Sequence, residues 1–116
     1  MKEISCELAF SEELLERLNE QMDEFGQINF EGCVDALVEV MPIDRKNFIS
    51  EVQPLVTLVL NFGSQIALGL LVNWLYDMAK EKKILVVAGR NVKVESREDI
   101  SKVIEEINHE EGCKRN

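Results

Sequence analysis

The stretch VQPLVTLVLNFGSQIALGLLVNWLY runs from Val52 to Tyr76 without a charged residue, and its reading decides the fold. Leu58, Leu60, Ala67, Leu68, Leu70, Leu71 and Leu75 are good helix formers, and Pro54 falls where a first turn tolerates it. At helical spacing Gln53, Thr57, Asn61, Ser64 and Gln65 gather on one side, with Val59, Phe62, Ile66 and Leu70 opposite. Gly63, Ala67, Leu70 and Trp74 form a row whose small members let a second backbone come close. The expectation is one long, central apolar helix with an interface row along it.

Such a helix of about 22 uncharged residues would measure about 33 Å, against a hydrocarbon core of about 30 Å. Arg45 and Lys46 precede it and Lys80, Lys82 and Lys83 follow, so basic residues choose no side. Thr57, Asn61, Ser64, Gln65 and Asn73 are costly in lipid without partners. The preferred reading is therefore a helix hidden by protein, its own or a copy's. A small membrane-inserted protein built on Leu55–Tyr76 is the alternative.

The chain has 116 residues, enough for one domain, and 46% of them are hydrophobic and 30% charged, as in a folded protein. Within that single domain, residues 1–40 form an acidic strand-helix part, 44–80 a central helical part and 84–108 a hairpin plus helix. The opening MKEISCELAF is acidic and too short in apolar run for a signal peptide. Cys6, Cys33 and Cys113 are odd in number and lack CxxC spacing, which fits reduced thiols and a cytoplasmic location.

Charge is unevenly placed. Residues 1–40 hold eleven acids and two bases, net −9, and the remaining residues are balanced. No basic footprint exists for direct binding to nucleic acid. A basic partner or simple solubility fits the acidic third.

Along the chain, Ile4, Cys6, Leu8 and Phe10 alternate with Glu3, Ser5, Glu7 and Ala9, as in a half-buried strand over Lys2–Phe10. Ser11 reads as the N-cap of a helix with Leu14, Leu15, Leu18, Met22 and Phe25 inward, stopping at Gly26. Its outer, acidic face carries Glu13, Glu16, Glu20, Asp23 and Glu24. Gln27–Gly32 reads as a linker anchored by Ile28 and Phe30, and Cys33–Met41 as a short helix ended by Pro42. Asp44 then caps a helix bearing Phe48, Ile49 and Val52. After the lysines, ILVVA over Ile84–Ala88, the turn Gly89-Arg90-Asn91 and Val92-Lys93-Val94 predict a β-hairpin. Ser96 opens a closing helix with Ile100, Val103, Ile104 and Ile107 as its stripe.

Locally encoded chemistry is sparse. His109, the only histidine, lies at the end of a terminal helix and makes a poor catalytic base. Glu105-Glu106 and Glu110-Glu111 are adjacent in sequence, so their carboxylates point apart. Ala88-Gly89-Arg90-Asn91 lacks the Gly-Lys-Ser/Thr of a phosphate cradle. No catalytic residue, metal ligand or cofactor site is expected.

An apolar helix ending in Trp74-Leu75-Tyr76-Asp77, a basic break, the strands ILVVAGRNVKV and then SREDISKVIEEI follow one another over residues 63–108. This order resembles the constant-component type of effector-associated small domains of bacterial conflict systems. The resemblance implies a non-enzymatic adaptor or regulator that contacts a partner protein.

The expected protein is α+β: an N-terminal strand, helices around one long central apolar helix, a C-terminal β-hairpin and a closing helix. Its expected role is a protein-interaction module of a bacterial or phage defence or anti-defence system, working as a homo-oligomer and on a protein partner. The expected interface residues are Gly63, Ala67, Leu70, Trp74 and Tyr76. An acidic phage-type inhibitor that mimics nucleic acid through Glu13, Glu16, Glu20, Asp23 and Glu24 is a further alternative.

Overall fold

Eight alternating residues open the described chain, and in the computed structural model they form an inner strand of one antiparallel sheet. The structure describes residues 2–41, 55–80 and 84–114. Among these the strands are β1 (Lys2–Ala9), β2 (Gln27–Phe30), β3 (Cys33–Val40), β4 (Leu55–Phe62), β5 (Ile84–Val87) and β6 (Arg90–Lys93). The helices are α1 (Glu12–Gln21), α2 (Gln65–Ala79) and α3 (Arg97–Lys114). The strands lie in the order β2-β3-β4-β1-β5-β6.

The central pair sets the register. β1 and β4 run antiparallel over their full lengths, from Lys2 opposite Phe62 to Ala9 opposite Leu55. Alternation then puts Ile4, Cys6 and Leu8 on the same face as Val56, Leu58, Leu60 and Phe62, all buried. Ala36, Val38, Leu85, Val87 and Val92 extend that face across the neighbouring strands. Buried residues of all three helices, Leu14 and Leu18, Leu71 and Leu75, Ile100 and Ile104, join the same cluster. The helices therefore cover one face of the sheet. On the other, Glu3 and Ser5 are exposed, and Leu37, Thr57, Val59 and Val86 are half-buried. Asn61 is buried there and donates to Glu39 Oε1 at 3.4 Å.

The long central helix is not formed, and this corrects the expected fold. Residues 55–62 are β4, Gly63 and Ser64 break the chain, and only 65–79 are helical. The reason is local. Val56, Thr57, Val59 and Phe62 favour strand, and buried Val56, Leu58 and Leu60 recur at period two. Thr57 and Asn61, read as part of a helical polar stripe, instead lie on the sheet face away from the helices. Ser64 then restarts the chain as a helix by accepting from the Ala67 N–H at 3.1 Å. No helix among the described residues is long and apolar enough to cross a membrane, so the spanning helix over Leu55–Tyr76 is withdrawn.

Two smaller corrections share that cause. Cys33–Val40 is a strand, its Ala36 and Val38 buried between exposed or half-buried neighbours, and not a helix. Gln27–Phe30 is a strand paired with it, interrupted by a bulge between Asn29 and Phe30, and not a linker. The expectations for Pro42, Asp44, Phe48, Ile49, Val52 and Pro54 fall outside the described residues.

The first helix, the C-terminal hairpin and the closing helix form where the residue pattern predicts them, but Arg90 and Asn91 belong to β6 and not to the turn, and Phe25, expected inward, is 78% exposed. Ser11 caps α1 by accepting from the Leu14 N–H at 3.0 Å, though the helix ends at Gln21, before Met22 and Phe25. The hairpin β5–β6 turns through Ala88 and Gly89, both at positive φ (49° and 81°). That double left-handed turn suits the twist of a two-residue hairpin. The Asp99 carboxylate accepts from the N–H groups of Glu95 and Ser96, both at 2.9 Å, and closes the first turn of α3.

Candidate interaction surface

Large hydrophobic side chains are exposed at Phe25, Val34, Leu55, Ile66 and Leu70, the last two on α2, whose start is pinned to β3. The Gly63 N–H donates to the Asp35 carbonyl at 2.9 Å, and a Cβ on Gly63 would stand 3.1 Å from the Asp35 Cβ. The Asp35 carboxylate accepts from the Ser64 hydroxyl and, at 3.1 Å, from the Cys33 thiol. These two bonds, the Ser64 hydroxyl first, hold the Asp35 carboxyl below its ordinary range. The same carboxylate holds the Cys33 thiol up. Each of the four groups is thus used in fixing the helix start.

Further along, Trp74 and Tyr76 are fixed by side chains from other elements. The Trp74 indole donates to Gln21 Oε1 at 2.7 Å and meets Phe30 edge-on, with centroids 6.3 Å apart. The Arg97 guanidinium lies 5.8 Å from the centre of the Tyr76 ring and donates to Asn73 Oδ1 at 3.1 Å. Arg17 reaches the Asp77 carbonyl at 3.5 Å. So α1 lies on one flank of α2 and α3 on the other.

This framework decides which expected interface residues are available. Ala67 is wholly buried, and Gly63, though exposed, has Asp35 where a side chain would be, so the small residues do not form one open row. Trp74 and Tyr76 are half-buried and engaged. Of the five, Gly63 and Leu70 are exposed, Leu70 at 37%. Beside it stand Ile66, 77% exposed, and Gly69, with nothing within 4 Å of where a Cβ would be. With exposed Asn73 they form an uncharged outer strip, one to three turns into the helix. Ile66 is the residue that sequence reasoning missed. A helix starting at Ser64 has its inward direction set by Leu68, Leu71 and Leu75, and the i, i+4 pair Ile66–Leu70 then points out.

The acidic residues of the first third are on the surface. Glu13, Glu16, Glu20, Asp23 and Glu24 are all exposed, the first three on α1 and the others in the turn after it. The Asp23 side chain is partly used, since it accepts from the N–H groups of Phe25 and Gln27.

Among the described residues, no group of three or more histidine, cysteine or carboxylate side chains could hold a metal ion. Comparison with family models, with curated proteins and with solved structures finds no match to the chain.

Proposed function

We propose that this chain is a non-enzymatic protein-interaction module, acting by self-association and partner binding through the outer strip of α2. The observation that supports this reading is Ile66, a large aliphatic side chain left 77% exposed on a helix whose other face is fully packed. Leu70 and the open Gly69 lie on the same strip, so an incoming surface meets contiguous apolar area and an approachable backbone. The setting in a bacterial or phage conflict system rests on the resemblance of residues 63–108 alone.

Light scattering on wild type and on I66E/L70E, each at widely separated concentrations, tests this. Wild type is expected to exceed the single-chain mass at high concentration and the variant to stay at it. A wild type that remains one chain throughout removes self-association. A variant that associates as wild type does moves the contact elsewhere.

A further inference from the structure

Hydrogen bonding closes one edge of the sheet and leaves the other open. At β2 the Val40 N–H donates to the Gly26 carbonyl at 2.8 Å, so Gly26 and Ile28 bond inward. Gln27 and Asn29 then face out. Gln27 is engaged there by Asp23: its N–H donates to Asp23 Oδ1 at 3.0 Å, and its carbonyl accepts from the Asp23 N–H at 2.9 Å. The bulge follows directly after Asn29. Asp23 and the bulge together block a further strand at β2.

The β6 edge lacks such a block. The Ala88 N–H donates to the Ser5 carbonyl at 2.8 Å, which turns Val86 and Ala88 towards β1 and Leu85 and Val87 towards β6. Their partners Val92 and Arg90 therefore bond inward. The N–H and C=O groups of Asn91 and Lys93 point outward, and among the described residues nothing bonds to them. Both residues are exposed, and the pairing with β5 runs in regular register. The open stretch ends at Glu95 and Ser96, whose N–H groups belong to Asp99.

We infer that the β6 edge takes an extended segment of a partner protein as a further antiparallel strand. What it recognises is a backbone, since two donors and two acceptors repeating at about 6.8 Å are matched in full by another strand. Side chains set the pattern of that segment. Residues opposite Asn91 and Lys93 lie on the sheet face away from the helices and are polar, and the one between them, beside buried Val92, is aliphatic. Charge favours an uncharged partner strand over a second copy. A second β6 would bring Arg90 and Lys93 of both chains to one seam, between molecules of net −9 each. Glu106 and Glu95, 3.6 and 3.3 Å from these cations, are exposed and offset that only in part.

This contact goes beyond the α2 strip and stands apart from it, since I66E/L70E leaves β6 untouched. The probes are two nine-residue peptides alternating threonine and valine, one N-methylated at every valine and the other at every threonine. Each has one blocked edge, so neither stacks into fibrils. With threonines opposite Asn91 and Lys93, the threonine N–H groups bond to β6 and the valine N–H groups point away. The valine-methylated peptide is therefore expected to shift the Asn91 and Lys93 amide signals of the whole chain and to slow their hydrogen exchange. The threonine-methylated peptide should leave both unmoved. N91P removes one outward N–H and keeps the β5 ladder, so it should weaken binding about tenfold. Slow exchange at Arg90 and Val92 checks that its hairpin is intact. Equal effects of the two peptides would overturn the inference, as would no binding by either, signals moving at β2, or full binding by N91P. Asn91 and Lys93 amides protected in the chain alone, and released on dilution, would replace the partner strand with a second copy.

Discussion

Gln21 and Trp74, 53 residues apart in the chain, are joined by an indole-to-amide hydrogen bond of 2.7 Å that ties the end of α1 to the side of α2. Trp74 is the only tryptophan, so its emission reports this junction directly. Replacing Gln21 with leucine should cost about 1 kcal/mol, the usual net worth of such a bond. The emission should also change in the folded state, before any unfolding. Urea titrations followed at tryptophan emission check both, and unchanged folded-state emission would separate Gln21 from the indole.

Two glycines should respond to alanine in opposite directions. At Gly63 the new Cβ meets the Asp35 Cβ at 3.1 Å, and Asp35 is held by Ser64 and Cys33, so it has little room to give. A loss of about 1 kcal/mol is expected for G63A. At Gly69 the new methyl enters open space inside a helix, so G69A should gain roughly 0.5–1 kcal/mol. Thermal melts of both variants test the contrast.

Ala88 is the one described non-glycine residue at positive φ, 49°, in the turn between β5 and β6. A Cβ there costs about 1 kcal/mol against glycine, and asparagine tolerates the conformation better than alanine. A88N is expected to raise the midpoint of thermal unfolding. A melt no higher than wild type would show that the turn relaxes around the methyl.

The pH dependence has two limbs. Asp35 and Asp99 have carboxyls lowered from 3.8 in the folded protein, Asp35 chiefly by the Ser64 hydroxyl and Asp99 chiefly by the Glu95 N–H. Their stabilisation is complete above that ordinary value and is lost as pH falls through the folded values. D35N/D99N should accordingly show a shallower acid limb in urea midpoints measured against pH. At the other end, burial pushes the Cys6 thiol from 9.0 up to about 12. The unfolded chain then releases its proton first, and stability should decline as pH rises between those two values. For the same reason a thiol reagent should label Cys6 only as fast as the chain opens.

Residues 2–21 and 84–107 were readable because each local signal there points one way. Ser11 and its acids, the alternation of β1, the Val-rich hairpin and the isoleucine stripe of α3 all agree with the tertiary structure. The middle was not readable, for two reasons. Val52–Tyr76 lacks the charges that mark faces, so a strand and a helix joined by Gly63-Ser64 looked like one uniform run. In β3, Val34 is fully exposed while Ala36 is buried, which weakens the alternation that identifies a strand. The surface of α2 depended on that boundary. Starting the helix at Gln65 fixes which leucines face the sheet, and only then does Ile66 appear outside.

The β1–β4 pairing has a consequence for the order in which the chain can assemble. Its partners are 46 residues apart at Ala9–Leu55 and 60 at Lys2–Phe62, and β1 receives its other neighbour, β5, later still. During synthesis the first strand emerges with Ile4, Cys6 and Leu8 bare and must wait for more than half of the polypeptide. Contacts this distant close slowly. Eleven carboxylates against two cations in the first forty residues make that waiting segment self-repelling, which keeps nascent chains from pairing with one another before β4 arrives.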